Sequence, residues 1–394
     1  MMPFLTRIIF EHFAFGLLIP VYIIFLIEQL GLSLTQVGLA VSTATAATFI
    51  LEVPTGILAD RVKRKYLLLA SSVLHCAAYT ALFFATDIHL VLLGAIFTGA
   101  GFAFASGAEE SYVHDIFENS GVSFEKQLSK VSISDEAATI LGMLSSSLIL
   151  TYFNYSTLIS LAIFSLGVAV FASLLLMDNE SVHSIAIKEN VETKIKFTFK
   201  KGAVLLIVAF LLLSILSESG RLLWQPQLIA SGWAGIQLGY IFAIIKLGSL
   251  AGAYIAGTVK MKNLHAVLLG GFVGAVGLVI FSVNLFIINL CGLALFLLAE
   301  NFVRIHATSF ILSLPNVQKQ KATTLSIFSI VNNSYLSMSG VVLGVMASLS
   351  LSGALVSVAI VKVVATILLG LYVLILKRHY WGQLSPMSPQ IHSK

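Results

Sequence analysis

Charged side chains are scarce in this chain. Only 10% of its 394 residues are Asp, Glu, Lys or Arg, and 58% are hydrophobic, whereas soluble domains carry roughly 25% charged residues. A water-soluble fold could not hide that much apolar surface. The composition therefore excludes a soluble protein and indicates one that is embedded in lipid.

Cysteine is rare, and the usual catalytic motifs are missing. Cys76 and Cys291 each lie inside an apolar run without metal-type spacing, so we expect two buried thiols and no metal site. There is no Gly-x-x-x-x-Gly-Lys-Ser loop to support direct ATP drive, and no cofactor is expected. A Gly-x-Ser-x-Gly turn is absent, and His12, His75 and His306 lie far apart in sequence, so an enzyme is not expected.

Apolar runs of about twenty residues recur along the whole chain. A bilayer core about 30 Å thick needs roughly twenty apolar residues per helix, and helices satisfy their own backbone inside lipid. The pattern predicts an all-α polytopic membrane protein with twelve transmembrane helices. The predicted spans are 5–29, 35–57, 66–86, 89–112, 130–152, 155–177, 203–230, 234–257, 264–286, 288–312, 322–349 and 352–376.

One long polar stretch divides these spans into two sets of six. It mixes Lys with Glu and has the composition of a cytoplasmic linker. We predict an N-terminal six-helix bundle at 1–177, the linker at 178–202, a C-terminal six-helix bundle at 203–378 and a cytoplasmic tail at 379–394. The first span lacks a small-residue cleavage site, so it is predicted to be retained as a helix. A receptor or scaffold would usually keep a large extramembrane domain, which this layout does not provide.

Lysine and arginine are missing from every second connection between the spans. The connections without them lie near Gly31, Asp87, Asn154, Ser231, Asn284 and Ser350. The alternate connections carry the basic residues, including Arg61, Lys63, Arg64, Lys65, Lys126, Lys130, Lys260, Lys262, Lys319, Lys321, Lys377 and Arg378. By the positive-inside rule the basic set is cytoplasmic and both termini lie inside. The net charge of +5 therefore reports topology and not a nucleic-acid partner.

The two predicted bundles resemble each other weakly. Residues 35–39 at the start of the second span are echoed by residues 236–240 at the start of the eighth, an offset of 201 residues. The Ala-Glu pair at 108–109 likewise matches the Ala-Glu pair at 299–300. Together these matches predict two pseudo-symmetric bundles from a duplicated unit, an arrangement in which substrate binds between the halves.

The connection after the second span carries a recognisable motif. The run Gly56-Ile57-Leu58-Ala59-Asp60-Arg61-Val62-Lys63-Arg64-Lys65 resembles the loop signature of the major facilitator superfamily, Gly-x-Leu-Ala-Asp-Arg-x-Gly-Arg-Lys, with Lys63 in place of the second Gly. The resemblance implies transport by alternating access between two six-helix halves. It also implies a cytoplasmic gate that locks the outward-open state, formed here by Gly56, Asp60, Arg61 and Arg64. We expect Glu52 to belong to the same gate beside Asp60. The alternative is that the basic residues only fix topology.

Within that superfamily, the drug-efflux-like branch is the resemblance that we weigh first. Drug and proton antiporters carry an Arg in the fourth helix, where this chain has Ala95 or Phe97. Their fifth helix carries a Gly-x-x-x-Gly-Pro run, whereas residues 141–146 contain no proline. The coupling ion and the direction of transport therefore stay open at this point.

Charged residues at bilayer depth are the candidate site residues, since each costs at least about 2.5 to 3.5 kcal/mol on insertion scales. At about 1.5 Å of rise per residue, four of them reach a similar level in the second bundle: Glu218, Lys246, Glu300 and Lys362. Arg221 and Arg304 share a helical face with the acids that precede them. One interpretation is a central pocket with excess positive charge. The alternative is a set of structural ion pairs, Glu218 with Arg221 and Glu300 with Lys246 or Arg304, which leaves Lys362 without a partner.

The first bundle carries acids instead. Proton coupling requires a carboxyl group that titrates near neutral pH, and burial moves carboxyl groups towards that range. We predict Glu11 as the protonation site and Glu218 as its counterpart, with Asp135 and Glu136 in the same pathway. For Asp135 and Glu136 the alternative is an interfacial role opposite nearby lysines. The stretch around Trp224 either lines the pocket or anchors its helix at the interface.

The sequence thus predicts a monomeric secondary active transporter. The leading hypothesis is proton-coupled export of amphiphilic small molecules, and the alternative is transport of an anionic solute such as a carboxylate metabolite or a siderophore. The expected partners are the substrate, protons and the lipid bilayer, without nucleic acid. Compact loops favour a bacterial inner (cytoplasmic) membrane.

Overall fold

The computed structural model describes residues 2–59, 62–106, 108–109, 112, 124–177, 222–258, 261–312 and 321–380. Every regular element in these ranges is helical. The helices are α1 Met2–Leu18, α2 Tyr22–Glu28, α3 Leu34–Ala59, α4 Arg64–Phe83, α5 Ile88–Ala105, α6 Phe124–Tyr152, α7 Tyr155–Leu174, α8 Leu238–Thr258, α9 Asn263–Phe281, α10 Phe286–Leu312, α11 Lys321–Leu349 and α12 Leu351–Tyr380. Residues 222–230 form a further short helix.

The described helices fit the thickness of a membrane. Eight of them are long and apolar enough to cross it, or nine if α1 and α2 together form one bent span. They coincide with the predicted spans, so the all-α membrane class is confirmed. The span predicted at 203–230 is described from residue 222 onwards, and the linker at 178–202 and most of the tail at 379–394 lie outside the described residues. The count of twelve, the two bundles and their boundaries stay predictions.

The first predicted span consists of two helices and not one. α1 ends at Leu18, α2 begins at Tyr22, and the axes meet at 44°. Pro20 lies at the break, because proline has no amide hydrogen to donate and its ring clashes with the preceding turn. The prediction of one continuous helix over 5–29 is wrong at this point.

The side chain of Gln225 binds the backbone groups that this break exposes. Its Oε1 accepts hydrogen bonds from the amides of Ile23 and Ile24 at 2.9 and 3.2 Å. Its Nε2 donates to the carbonyl of Ile19 at 2.8 Å. The first amides of a helix have no partner within the helix, so a side chain from the second predicted half caps α2 in the first.

Two glycine contacts bring the predicted halves together at one end of the bundle. We call it the predicted outer end, because the connections without Lys or Arg lie there. Gly38 of α3 packs against the backbone of Gly340 in α11, and Gly239 of α8 packs against the backbone of Met143 in α6, each without room for a Cβ. Small residues commonly allow such close approach between membrane helices. Each predicted half therefore contributes one helix to each contact.

The starts of α3 and α8 also share a local structure. Gln36 Oε1 accepts from the amide of Ser33 at 2.9 Å, and Gln237 Oε1 accepts from the amide of Ala234 at 3.1 Å. Both pairs are related by the offset of 201 residues seen in the sequence. The likeness supports a duplicated unit at this position, while pseudo-symmetry of the whole bundles stays a prediction.

The two cysteines differ in their surroundings. Cys76 is partly buried and Cys291, on α10, is exposed. The expectation of two buried thiols is therefore wrong for Cys291. An apolar side chain on the outside of a membrane protein faces lipid and needs no cover from protein, so an apolar run does not predict burial.

Candidate functional site

A cavity of about 720 Å³ lies between the two predicted halves. The first half contributes walls from α1 to α6, and the second contributes walls from the 222–230 helix, α8 and α10. This volume is in the range of pockets that hold drug-sized ligands. The position between the halves is the one that the internal repeat predicts for a substrate site.

Aromatic rings form much of the cavity wall. Trp224 and Phe242 stack with their centroids 4.3 Å apart and their planes at 15°. Trp224 is only 3% exposed and lines the cavity together with Tyr22 and Tyr79 from the first half. Of the two interpretations of Trp224, the structure supports the pocket and not the interface anchor.

Among the described residues, four charged side chains line the same cavity: Glu136, Lys246, Glu300 and Arg304. Lys246 Nζ donates to both carboxylate oxygens of Glu136, at 2.9 and 2.7 Å, and so joins α8 to α6. The predicted alternative in which Lys246 pairs with Glu300 is wrong. Because α8 packs against α6, the carboxylate of Glu136 lies next to Lys246 instead. The formal charges of the four residues cancel.

Lys362 lies behind this wall. Its side chain is fully buried, with Nζ 3.6 Å from Glu300 Oε2 and 5.4 Å from the ring centroid of Phe296. Gly274 makes room for the ammonium group, since a Cβ there would lie 2.5 Å from Nζ. The predicted set of structural ion pairs included no partner for Lys362, and the structure provides one. Its partner is Glu300, which stands between it and the cavity.

A second group of charges is buried inside the first half. Arg7 is 0% exposed and Glu11 is 3% exposed, and they form an ion pair of 2.9 Å on one face of α1. Arg7 Nη1 donates to Glu109 Oε1 at 2.7 Å, and Arg7 Nε donates to Ser72 Oγ at 3.0 Å. Arg7 Nε and Nη1 thus donate hydrogen bonds, while Nη2 contacts Glu11 Oε2 as an ion pair.

His75 contacts the other oxygen of Glu11. The distance from its Nδ1 to Glu11 Oε1 is 2.5 Å. Its ring also packs against Phe15 and Phe102, at centroid distances of 4.9 and 4.8 Å. Both phenylalanines line the cavity on their other side. We call Arg7, Glu11, Ser72, His75 and Glu109 the buried cluster; a single layer of aromatic rings separates it from the cavity.

The predicted site residues therefore fall into separate places. Glu11 belongs to the buried cluster, and Asp135 is partly buried on α6, one position before Glu136. Glu218 and Arg221 lie outside the described residues. Among the gate residues, Glu52 and Gly56 are on α3 and Arg64 begins α4, whereas Asp60 and Arg61 lie outside the described residues. Within the described ranges, no three His, Cys, Asp or Glu side chains are placed to hold a metal ion.

Sequence reasoning missed several of these residues. Ser72 and His75 are polar residues three positions apart within an apolar run, and this shared face was the available signal. Gln225 had a weaker signal, since it stands between Trp224 and Pro226 near the end of a predicted span.

Comparison with known proteins decides the family. The family model described as Major Facilitator Superfamily matches residues 8–340. The chain belongs to the major facilitator superfamily. Membership confirms the resemblance of the loop motif, and it indicates an integral membrane transporter of this type and not an enzyme.

Similar proteins include one curated sequence and many solved structures. An uncharacterized MFS-type transporter, YxaM of Bacillus subtilis (strain 168), is 25% identical over 243 residues, which span 59% of each chain. The match thus covers about three fifths of that relative's length. A variant of the nucleoside transporter NupG aligns with a TM-score of 0.79 at 12% identity, over 95% of this chain and 99% of that one. A structure of proton dependent oligopeptide transporters gives a TM-score of 0.72 at 14% identity, over 96% and 99%.

Proposed function

We propose that this protein is a monomeric secondary active transporter that exports amphiphilic small molecules in exchange for protons. The main support for the proposal is the cavity between the halves. Its described wall combines stacked aromatic rings with two acidic and two basic side chains. An amphiphile places its apolar body against the rings and its polar group beside Glu136, Lys246, Glu300 or Arg304.

Alternating access has support from the contacts at the predicted outer end. There the glycine contacts of Gly38 and Gly239 and the hydrogen bonds of Gln225 hold the halves together. We propose that the structure represents a state closed towards the outside. In the opposite state the cytoplasmic gate would close, with Glu52, Gly56, Asp60, Arg61 and Arg64 as its residues.

Proton coupling rests on the buried carboxylates. Glu11 is the proposed carrier in the first half, with Glu218 as its counterpart in the second. Asp135 and Glu136 lie on α6, where Glu136 lines the cavity, and they are the proposed continuation of the pathway. Among the structurally similar proteins, the oligopeptide transporters are described as proton dependent, which is compatible with this proposal.

An anionic solute is the second candidate. Lys246 and Arg304 line the cavity and would bind a carboxylate. Arg221 belongs to the same hypothesis. Glu136 and Glu300 balance the two basic groups, and Lys362 lies behind Glu300, so the described residues favour an amphiphile over an anion.

Transport into inside-out vesicles tests the function. We expect an acid-inside pH gradient to drive accumulation of ethidium, an aromatic amphiphile, and a protonophore to abolish it. An organic anion such as citrate should show no gradient-dependent movement. Accumulation of the anion alone would favour the second candidate, and movement of neither probe across a panel of dyes and acids would contradict proton-coupled transport.

Cysteine labelling tests the orientation in a bacterial inner membrane. In a background without Cys76 and Cys291, we expect an impermeant maleimide added to intact cells to label Asn154→Cys. Lys63→Cys should react only after the membrane is opened. Labelling of Lys63→Cys in intact cells would reverse the topology and remove the basis of the proposed gate.

A further inference from the structure

We propose that His75 and Glu11 together hold the single proton whose release couples the buried cluster to the cavity. The inference rests on the proton-coupled transport proposed above and adds the residue that shares the proton. It starts from the contact of 2.5 Å between His75 Nδ1 and Glu11 Oε1. A neutral imidazole already supplies the hydrogen in this contact, so the further proton makes the pair either an imidazolium beside a carboxylate or a neutral ring beside a carboxylic acid.

Charge balance indicates one proton. Arg7 supplies one positive charge, while Glu11 and Glu109 supply one negative charge each. With neutral His75, the cluster carries one net negative charge, and one additional proton on the Glu11–His75 pair makes it neutral. A buried charge without compensation is unfavourable, so the neutral state suits the packed arrangement seen here.

Among the described residues, few charged groups surround His75 besides those of the buried cluster. Around His75, α5 contributes Gly101 and Phe102, and α7 contributes Ser173 through Ser72. Neither helix brings a charged side chain to the cluster. His12 of α1 lies near Glu11 as well, but its Nδ1 is directed to α6, 3.5 Å from Thr139 Oγ1 and close to Asp135.

His75 has one nitrogen available for a change of protonation. Within the described part of the chain, its Nε2 has no hydrogen-bond partner and lies next to Gly101, where a Cβ would be 2.5 Å away. In both protonated forms of the pair Nε2 carries a hydrogen, and no described acceptor binds it. The additional proton can therefore leave without breaking a hydrogen bond of the ring, and Nδ1 then donates to the Glu11 carboxylate.

The aromatic layer connects the protonation of the buried cluster to the shape of the cavity. Phe15 and Phe102 contact His75 on one side and line the cavity on the other. Loss of the proton leaves a net negative charge in the cluster, which favours a rearrangement of Glu11 and His75. The two rings must follow, and the cavity wall changes with them. Glu109, whose side chain is 33% exposed, connects the cluster to solvent.

Proteoliposomes that contain the full chain test the inference with ethidium as the probe. Two modes are compared: accumulation driven by a pH gradient, and exchange of labelled for unlabelled ethidium without a gradient. We expect His75→Asn and His75→Gln to lose accumulation and to keep exchange, because an amide binds Glu11 but carries no proton. His306→Asn is the matched control, a buried histidine of α10 that packs against Phe302, and it should keep both modes.

A glycine pair provides a second test that leaves His75 in place. Gly101→Ala should displace the imidazole from Glu11 and lose accumulation in the same way. Gly167→Ala, where nothing lies within 4 Å of the new Cβ, should behave as wild type. If the His75 and Gly101 variants accumulate ethidium like wild type, or if they lose both modes while remaining folded, the inference is overturned. If wild-type protein shows no gradient dependence, the proposed function itself fails.

Discussion

The two charged regions of this transporter differ in what surrounds them. The buried cluster is enclosed by helices of the first half, and its central residues are almost completely shielded, with Arg7 at 0% and Glu11 at 3% exposure. The charged end of the cavity is open to the space between the halves, where the side chains of Lys246 and Glu136 are 27% and 43% exposed. Both regions contain ion pairs, yet their environments give those pairs different energies.

Enclosure decides how strongly each pair depends on its partners. In a buried cluster, removal of one partner leaves a charge that water cannot reach. Beside a cavity, water or a substrate group can replace the missing partner. We therefore expect the buried cluster to respond to substitution in stability and coupling, and the cavity charges to respond mainly in substrate binding.

The largest effect is expected from Arg7→Met. The change leaves Glu11 and Glu109 facing each other without the guanidinium that joins them, and should cost about 3–5 kcal/mol of unfolding free energy. Thermal unfolding of the purified protein in detergent measures it. Lys246→Met is the control from the cavity and should cost less than about 1 kcal/mol. Equal losses from both changes would remove the distinction between the regions.

The pair of Glu300 and Lys362 refines the comparison, because Glu300 faces the cavity and Lys362 is buried behind it. Glu300→Gln leaves the buried ammonium of Lys362 without its counter-charge and should cost about 3 kcal/mol. Lys362→Met should cost less, because Glu300 is 25% exposed towards the cavity. The double change should recover most of the loss. A larger cost for Lys362→Met would show that Lys362 is not the more enclosed member.

Substitution at the contacts between the halves at the predicted outer end should have a free-energy cost between those of the buried cluster and the cavity charges. Gly239→Ala places a methyl group against the backbone of Met143 and should weaken the closed arrangement by about 1–3 kcal/mol. Reaction of Ala44→Cys, on the cavity wall, with a maleimide added from outside reports the opening. Gly167→Ala has open space and serves as the control. An unchanged rate in Gly239→Ala would argue that this contact does not close the cavity.

The smallest effect is expected for the ion pair across the cavity. A double-mutant cycle of Glu136→Gln and Lys246→Gln should give a coupling energy below about 1 kcal/mol in unfolding, because both groups reach solvent. The same cycle in ethidium exchange should show larger coupling if the substrate inserts between the two groups. If the coupling energy in unfolding were as large as the cost of Arg7→Met, this pair would behave like the buried cluster.

Much of the fold could be predicted because lipid imposes simple rules on a sequence. Long apolar runs and the alternation of basic connections located the helices, and the loop at Gly56 indicated the family. The break at Pro20 was not predicted, because a membrane helix can tolerate proline when neighbouring groups satisfy its backbone. Here the neighbour is Gln225, about 200 positions further along the chain, and no local pattern indicates such a contact.

The candidate site was harder to predict for a related reason. Position along a helix identifies neighbours three or four residues apart, such as Arg7 and Glu11 on α1. It offered Glu300 as an alternative partner of Lys246 and none for Lys362, whereas packing of other helices supplies Glu136 to Lys246 and Glu300 to Lys362. The contribution of His75 depends on a contact between α1 and α4, which only the folded chain reveals.

The amide of Gln225 has a consequence for how the protein must move. It makes three hydrogen bonds to the chain at the proline break, so opening the outer side requires these bonds to be exchanged for water or for substrate. The first turn of α2 then becomes a free helix terminus with its positive dipole end uncovered. The amides of Ile23 and Ile24 then need water as their acceptor, so the free energy lost when Gln225 withdraws adds to the barrier to opening.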